Sequence, residues 1–468
     1  MTTSRSGLRV FIAHLAYGIC VHLACLVAIP PLIVRMLRDR RQVGWILRRL
    51  GRLPEGRPAG KPIWIHAVSV GEVKASRPLV AALREQHPDV PLVLSTGTVT
   101  GYETARGLYP ELYVFPVPLD LPWVVAGVLR RIEPRLLLLL ELEVWPAFMR
   151  AADRLDVPQV ILNGRVSESS FRGYKRLNWW LPEFDRIDLV AAQDALYAER
   201  ITALGVPAER VHVTGNLKHD LIGVSTSDRI EGLGGPLGLR DGRPVFVAGS
   251  THDGEDEPVV QAWLAAGAAD AGHLVLVPRH LDRLKDIGRL LRRLEVPFAL
   301  RSEAGAGDPR GPETVLLVDT MGELEDFFAL ADVVFLGGSL TPVGGHNVLE
   351  PAAAGRPVLV GPFLETCRRE ADILEAAGGL AIVADGAALG STLGQLLTDE
   401  SARRTMGDAA RDAVRGLQGA TAADLALLRD KGFLPGSALE SRDESATLGS
   451  LVGSQPATSE SHSGARIR

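Results

Sequence analysis

Glu72, in the string HAVSVGE (His66 to Glu72), follows an apolar run and a glycine, and two uses of its carboxylate are open. At the carboxyl edge of a parallel sheet it can act as a general base that takes the proton of a hydroxyl. The spacing Ser69-x-x-Glu72 is also that of a capping box, where the side chain satisfies a backbone donor at a helix start, and Thr100 and Glu103 repeat that spacing. Glu141 and Glu143 close another apolar run and, two apart in an extended chain, point to one side. Carboxylates ending a buried strand are costly unless paired or put to use. The alternative is that one caps the next segment while Trp145 packs over the other. Leu336-Gly337-Gly338 ends a strand and Gly344-Gly345-His346-Asn347 leads into a helix, so backbone N–H groups and the helix dipole can receive a phosphate, unless the arrangement is only strand-turn-helix packing. Glu350 shares the helical face of Asn347. Arg279, after Pro278 at a further strand end, supplies a cation, and Lys218, after the turn at Gly215 and Asn216, has a plain surface lysine as its alternative. Arg165, Arg172, Lys175 and Arg176 form a basic patch followed by Trp179, Trp180 and Leu181, suited to a phosphate beside an apolar surface or to a solvated charged loop. The run Asp253 to Glu257 is expected to be a solvated first helical turn. His66, His280 and His346 are scattered without ligand spacing, so no metal is expected.

The elements that must position these residues follow from the pattern of the chain. Its 468 residues, 46% hydrophobic and 23% charged, can bury more than one core. A net charge of −5 gives no whole-chain field that would attract nucleic acid, and three cysteines, Cys20, Cys25 and Cys367, give neither a disulfide framework nor a metal motif. Residues 10–29 are nearly continuous in apolar character, long enough for a helix to cross roughly 30 Å of hydrocarbon, with Pro30 and Pro31 after them. Arg35, Arg38, Arg40 and Arg41 outnumber Arg5 and Arg9, which places the downstream chain in the cytoplasm by the positive-inside rule. A cleaved signal or an interfacial helix are the alternatives, favoured by His14 and His22 within the run. Apolar strands at 62–69, 90–95, 135–141 and 157–163 alternate with helices, and a second series starting near Val211 has strands at 245–248, 274–278, 315–318, 333–336 and 357–360. Two doubly wound domains with a cleft between them follow. From about Gly436 the Ser-, Thr- and Gly-rich sequence lacks periodicity and is expected to be disordered.

In order and separation, HAVSVGE, LELEVWP (Leu140 to Pro146), NGRVSESSFRGYKR (Asn163 to Arg176), GNLKHD (Gly215 to Asp220), VPRH (Val277 to His280) and GGHNVLEPAAAGRPVLVGP (Gly344 to Pro362) resemble the 3-deoxy-manno-octulosonic acid (Kdo) transferase family, over roughly residues 8–430. The resemblance implies an α/β chain of GT-B fold: a membrane-anchor helix at 8–34, an N-terminal acceptor-binding Rossmann-like domain at 35–216, a C-terminal CMP-sugar-binding one at 217–433 and a tail at 434–468. It implies Glu72 as proton acceptor, and Glu143 and Lys218 near the transition state, with Lys218 stabilising the leaving phosphate. It implies CMP contacts from Pro278, Arg279, Met321, Gly322 and Glu323 and from Asn347, Val348, Leu349 and Glu350, the last on the ribose hydroxyls. The expected activity is inverting transfer of Kdo from CMP-Kdo to the lipid A precursor, with no cofactor or metal, at the inner membrane with the catalytic domains in the cytoplasm and no nucleic-acid partner. His219 and Leu142 depart from the family pattern, which usually has an aromatic and a small polar residue there. A non-hydrolysing sugar-nucleotide epimerase shares the coarse pattern, and a tethered scaffold without turnover would be favoured only if the carboxylates were replaced.

Overall fold

The computed structural model describes residues 12–27, 40–178, 180–223, 232–267, 272–304 and 314–435. The chain divides into two compact units, residues 1–217 with 419–468, and residues 218–418.

The first unit is built on a parallel sheet: β1 (Ile63–His66), β2 (Leu92–Thr96), β3 (Tyr113–Pro116), β4 (Leu136–Leu140), β5 (Gln159–Gly164), β6 (Leu189–Ala192) and β7 (Val211–Val213), in the order β3-β2-β1-β4-β5-β6-β7. β1 pairs in register with β2 and β4, Ile65 lying opposite both Leu94 and Leu138. Every residue of β1, β2, β4 and β5 is buried, as continuous apolar runs covered on both faces require. Their alternate faces enter two cores, Trp64, Val93 and Leu137 on one side, Ile63, Leu94 and Leu138 on the other. The chain order reverses between β1 and β4, which leaves a crevice outside their carboxyl ends.

The second unit repeats the plan with β8 (Val245–Thr251), β9 (His273–Pro278), β10 (Phe298–Leu300), β11 (Val315–Leu317), β12 (Val333–Leu336), β13 (Val358–Val360) and β14 (Leu380–Ile382), in the order β10-β11-β9-β8-β12-β13-β14. Its reversal lies between β8 and β12. Gly337 is required there: a Cβ would sit 2.5 Å from the carbonyl oxygen of Ser250 and 2.6 Å from the Cα of Thr251.

Three features differ from the sequence pattern. β7, at Val211, belongs to the first sheet, pairing with β6. After the second unit, helix Ala420–Asp430 returns to the first, where Ala420, Leu425, Leu428 and Leu434 join the core with Ile63 and Leu138. Near the N-terminus residues 12–27 are helical, about 24 Å of rise. Among the described residues no helix is long and apolar enough to cross a membrane, so the spanning anchor expected at 8–34 is not supported, and the remainder of that range lies outside the described residues. The physical reason is visible in its contacts: Ala13 and His14 are buried against the unit, His14 bonding to Glu183 and Tyr17 donating to Asp120 Oδ2 at 2.7 Å. The tail expected from Gly436 also lies outside the described residues.

Candidate active site

Glu72, Glu141 and Glu143 meet at the reversal point of the first sheet, Glu72 one turn beyond β1 and the other two directly beyond β4. Both local uses of Glu72 coexist. The side chain of Ser69 accepts from the Glu72 N–H at 3.3 Å, while Glu72 Oε1 accepts from the Ser69 hydroxyl at 2.8 Å and Oε2 from the Val68 N–H at 2.7 Å. This is a capping box in substance. The carboxyl is nonetheless buried, and burial lifts its proton affinity, opposed by those hydrogen bonds and helped by the charge of Glu141. Glu141 holds φ at 60°, the left-handed region a non-glycine residue seldom adopts, and that turn swings the chain out of β4.

Glu143 is strongly perturbed. Burial pushes its carboxyl up to about 7, the hydrogen bond from Trp145 Nε1 at 2.7 Å opposes this, and the charges of Glu72 and Glu141 add to it. A carboxyl poised there exchanges its proton near neutrality. Trp145 therefore donates to Glu143 while its ring stays half exposed, rather than packing over a carboxylate. The phenol of Tyr174, raised by burial and then by the charge of Glu143, brings helix Glu168–Asn178 beside the cluster. That helix carries the basic patch. Arg172 pairs with Glu168 at 3.3 Å, Lys175 lies over the Phe171 ring at 5.6 Å, and Arg176 and Arg165 are exposed at the surface. Trp180 is exposed but Leu181 is buried, so only the former adds apolar surface; Trp179 lies outside the described residues.

The second unit gathers its own set at the β8–β12 reversal. His252, just past β8, and His346, in the loop after β12, face each other with Nε2 atoms 2.8 Å apart, one imidazole donating to the other, and their rings stack at 5.1 Å. Burial lowers the proton affinity of both, and the charge of Arg279 lowers it further. Arg279 is exposed just beyond β9, its N–H bonded to the Thr251 carbonyl at 3.0 Å. Ser250, with φ at 56°, is a second left-handed residue at a sheet edge. Glu255 fixes the constellation: its carboxylate, 0% exposed, accepts from the backbone N–H groups of Gly338, Ser339, Leu340 and His252 at 2.6 to 2.9 Å. The acidic run Asp253 to Glu257 is thus not a solvated turn, since Glu255 and Asp256 are buried, Asp256 against Arg283. Sequence reasoning missed Glu255 and His252. The signal was present as His252-x-x-Glu255, the capping-box spacing just past the first strand of a unit, as at Glu72.

The remaining expected nucleotide contacts lie in this same unit. Asn347 Nδ2 donates to Glu350 Oε1 at 2.9 Å, and burial, with the charge of Glu325 nearby, raises the Glu350 carboxyl. Helix Leu349–Ala353 is only five residues long and Val348 is buried at its start, so its dipole is weaker than the sequence suggests. The N–H of Gly345 is also already taken, by the Gly338 carbonyl at 2.7 Å. Met321 is 75% exposed, Gly322 takes φ of 86°, and Glu323 is held by Arg301 at 2.8 Å and by Thr320. Pro278 is buried as the last residue of β9. Lys218, the first residue of the second unit, is half-buried and next in the chain to buried His219.

A family model described as 3-Deoxy-D-manno-octulosonic-acid transferase (kdotransferase) matches residues 45–221. The chain is 35% identical over 429 residues to the 3-deoxy-D-manno-octulosonic acid transferase of Bordetella pertussis, covering 88% of this chain and 98% of that protein. It is 34% identical over 383 residues to the enzyme of the same name from Haemophilus influenzae, covering 80% of this chain and 87% of that one. Among solved structures, UDP-GlcNAc 2-epimerase from Neisseria meningitidis aligns with a TM-score of 0.55 at 14% identity, over 79% of this chain and 100% of that one, a likeness of fold alone and of the GT-B type. Identity at this level over most of the length makes the chain a glycosyltransferase that belongs to the 3-deoxy-D-manno-octulosonic-acid transferase family.

Proposed function

We propose that this chain transfers Kdo from CMP-Kdo to a lipid A precursor in lipopolysaccharide biosynthesis, with inversion at the anomeric carbon. The observation that carries the reading is the end-to-end similarity to transferases named for that sugar, joined to a carboxylate cluster at the sheet's reversal point. In the first unit Glu72 takes the proton of the acceptor hydroxyl as its oxygen bonds to the anomeric carbon, and the bond from that carbon to the CMP phosphate breaks. Glu143, proton-bearing near neutrality, donates a hydrogen bond to the sugar and keeps a second negative charge away from Glu72. Arg165, Arg172, Lys175 and Arg176 meet the acceptor's phosphates. In the second unit Arg279 and the His252–His346 pair receive the departing phosphate, Asn347 and Glu350 hold the ribose, and the backbone of Met321 to Glu323 reads the base. Lys218 adds a cation to the charge that develops on the leaving group. The reaction uses no metal ion and no cofactor. The protein works at the cytoplasmic face of the inner membrane, with helix 12–27 lying in the interface rather than spanning it.

The test is incubation with CMP-Kdo and a tetraacyl disaccharide bisphosphate, with product mass followed for wild type and Glu72→Gln in EDTA. Wild type should add the mass of Kdo. Glu72→Gln should lose roughly 100-fold or more in kcat with little change in stability, because glutamine preserves the capping box. A wild type that adds no sugar removes the function, and a fully active Glu72→Gln removes the base.

A further inference from the structure

Three arginines outside both carboxyl-edge clusters line one cavity. It has a volume of about 180 Å³, more than the roughly 150 Å³ that admits a benzene, and lies between helix 12–27 and the helices Pro122–Ile132 and Pro146–Asp153. Arg130, Arg150 and Arg154 supply its charge, and Tyr17, Ala126 and Ala151 part of its wall. None of the three guanidinium groups is ion-paired among the described residues, because the neighbouring carboxylates are already committed. Glu183 is shared by His14 and Arg186, Asp153 pairs with Arg186, and Asp120 accepts from Tyr17 and from the N–H groups of Ala147 and Phe148. Burial and then the charge of Arg154 lower the proton affinity of Arg150, opposed by the charges of Glu183 and Asp153, which are themselves paired with Arg186.

The surface beside this cavity is apolar. Helix 12–27 turns Ala13, His14 and Tyr17 toward the unit and leaves Ile12, Leu15, Ile19, Leu23 and Leu26 between 52% and 59% exposed. Steps of three and four residues put these five on one helical face. Trp123, next to the cavity-lining Pro122, is 61% exposed, a residue type favoured at membrane interfaces.

We propose that this cavity is a binding site for the phosphate headgroup of an anionic membrane lipid distinct from the substrate, held by Arg130, Arg150 and Arg154 while the apolar face of helix 12–27 lies among the acyl chains. Guanidinium groups match phosphate oxygens in bidentate fashion, and the exposed apolar helix face and Trp123 beside them favour a bilayer over a protein partner. The inference rests on the membrane association proposed above, and its test separates the two.

Full-length protein is sedimented with vesicles of phosphatidylcholine alone and of phosphatidylcholine with phosphatidylglycerol. Wild type should prefer the anionic vesicles, and Arg150→Gln/Arg154→Gln should lose roughly tenfold or more of that preference while still binding the neutral ones. Arg289→Gln/Arg292→Gln, an equal loss of charge on the other unit, should keep it. Ile19→Ser/Leu23→Ser should lose binding to both vesicles. Wild type bound equally to both vesicles overturns the headgroup site and leaves membrane association standing; wild type bound to neither overturns both. Equal loss of preference in the two arginine variants reduces the effect to net charge. If inorganic phosphate without vesicles stabilises wild type as much as anionic vesicles do, the ligand is a soluble anion, and if Arg150→Gln/Arg154→Gln raises the acceptor KM in detergent micelles, the site belongs to the acceptor; either result overturns the assignment.

Discussion

Glu143 shows how a residue's chemistry is set by its neighbours. Its carboxyl keeps its proton up to about pH 7 in the folded protein and releases it near 4.5 when unfolded. Folding therefore takes up a proton between those values, so the contribution of Glu143 to stability is largest below about 4.5, falls as pH rises toward 7 and is flat above. Glu143→Gln should remove that slope, gaining on the order of 2 kcal/mol relative to wild type between pH 5 and pH 8 after discounting for partial exposure. Urea midpoints at the two pH values measure it, and parallel pH dependence in the two proteins would show that Glu143 is not the group involved. Glu255 presents the opposite problem, a fully buried carboxylate satisfied by four backbone donors. Glu255→Gln turns an NH2 group toward those N–H groups, leaving buried donors unpaired at about 1–3 kcal/mol. Its loop carries His252, so CMP affinity by calorimetry should fall roughly tenfold or more, while acceptor binding by the first unit stays unchanged.

At the scale of elements, the sites depend on how closely strands and turns approach. Gly337 lets the end of β12 pass over Ser250 and Thr251 at β8. Gly337→Ala cannot be accommodated by a side-chain rotation because the obstructing atoms are backbone, so the two strand ends must part. CMP binding should weaken and thermal unfolding should come earlier, by roughly 1–3 kcal/mol for an overpacked site; retention of both would mean the edge is pliable. The helix after Glu72 behaves in a related way. The segment 70–86 is two helices, Val70–Ala75 and Arg77–Gln86, separated at Ser76 before Pro78. Proline sits in the first turn of the second helix, where its missing N–H costs nothing. The short first helix is held at its start by Ser69 and Glu72 and along its length by Val73, which is buried in the core.

At the scale of the molecule, the last helix closes the first unit after the second is complete. Leu425 and Leu428 are buried with Ile63 and Leu138. Leu428→Ala should cost about 2–5 kcal/mol in the first unit, seen as faster hydrogen exchange in β1 and β4, with CMP affinity of the second unit unchanged. Equal loosening of β8 and β12 would mean that the units unfold as one.

The amino-acid order alone determined what is local or repetitive. Fully apolar runs such as Leu136 to Leu140 announce parallel strands because both of their faces must be covered, and six strings in fixed order carried the family. The same order left β3, β6, β10 and β14 unmarked; β3, β10 and β14 are edge strands, each with a neighbouring strand on one side alone. Only the tertiary structure decided that Glu255 is buried rather than solvated, that residues 420–430 return to the first unit, that helix 12–27 is tied down by His14 and Tyr17, and that Glu143 holds its proton near neutrality. Each of these depends on the desolvation and charge supplied by groups distant in the chain, and no window of sequence contains them.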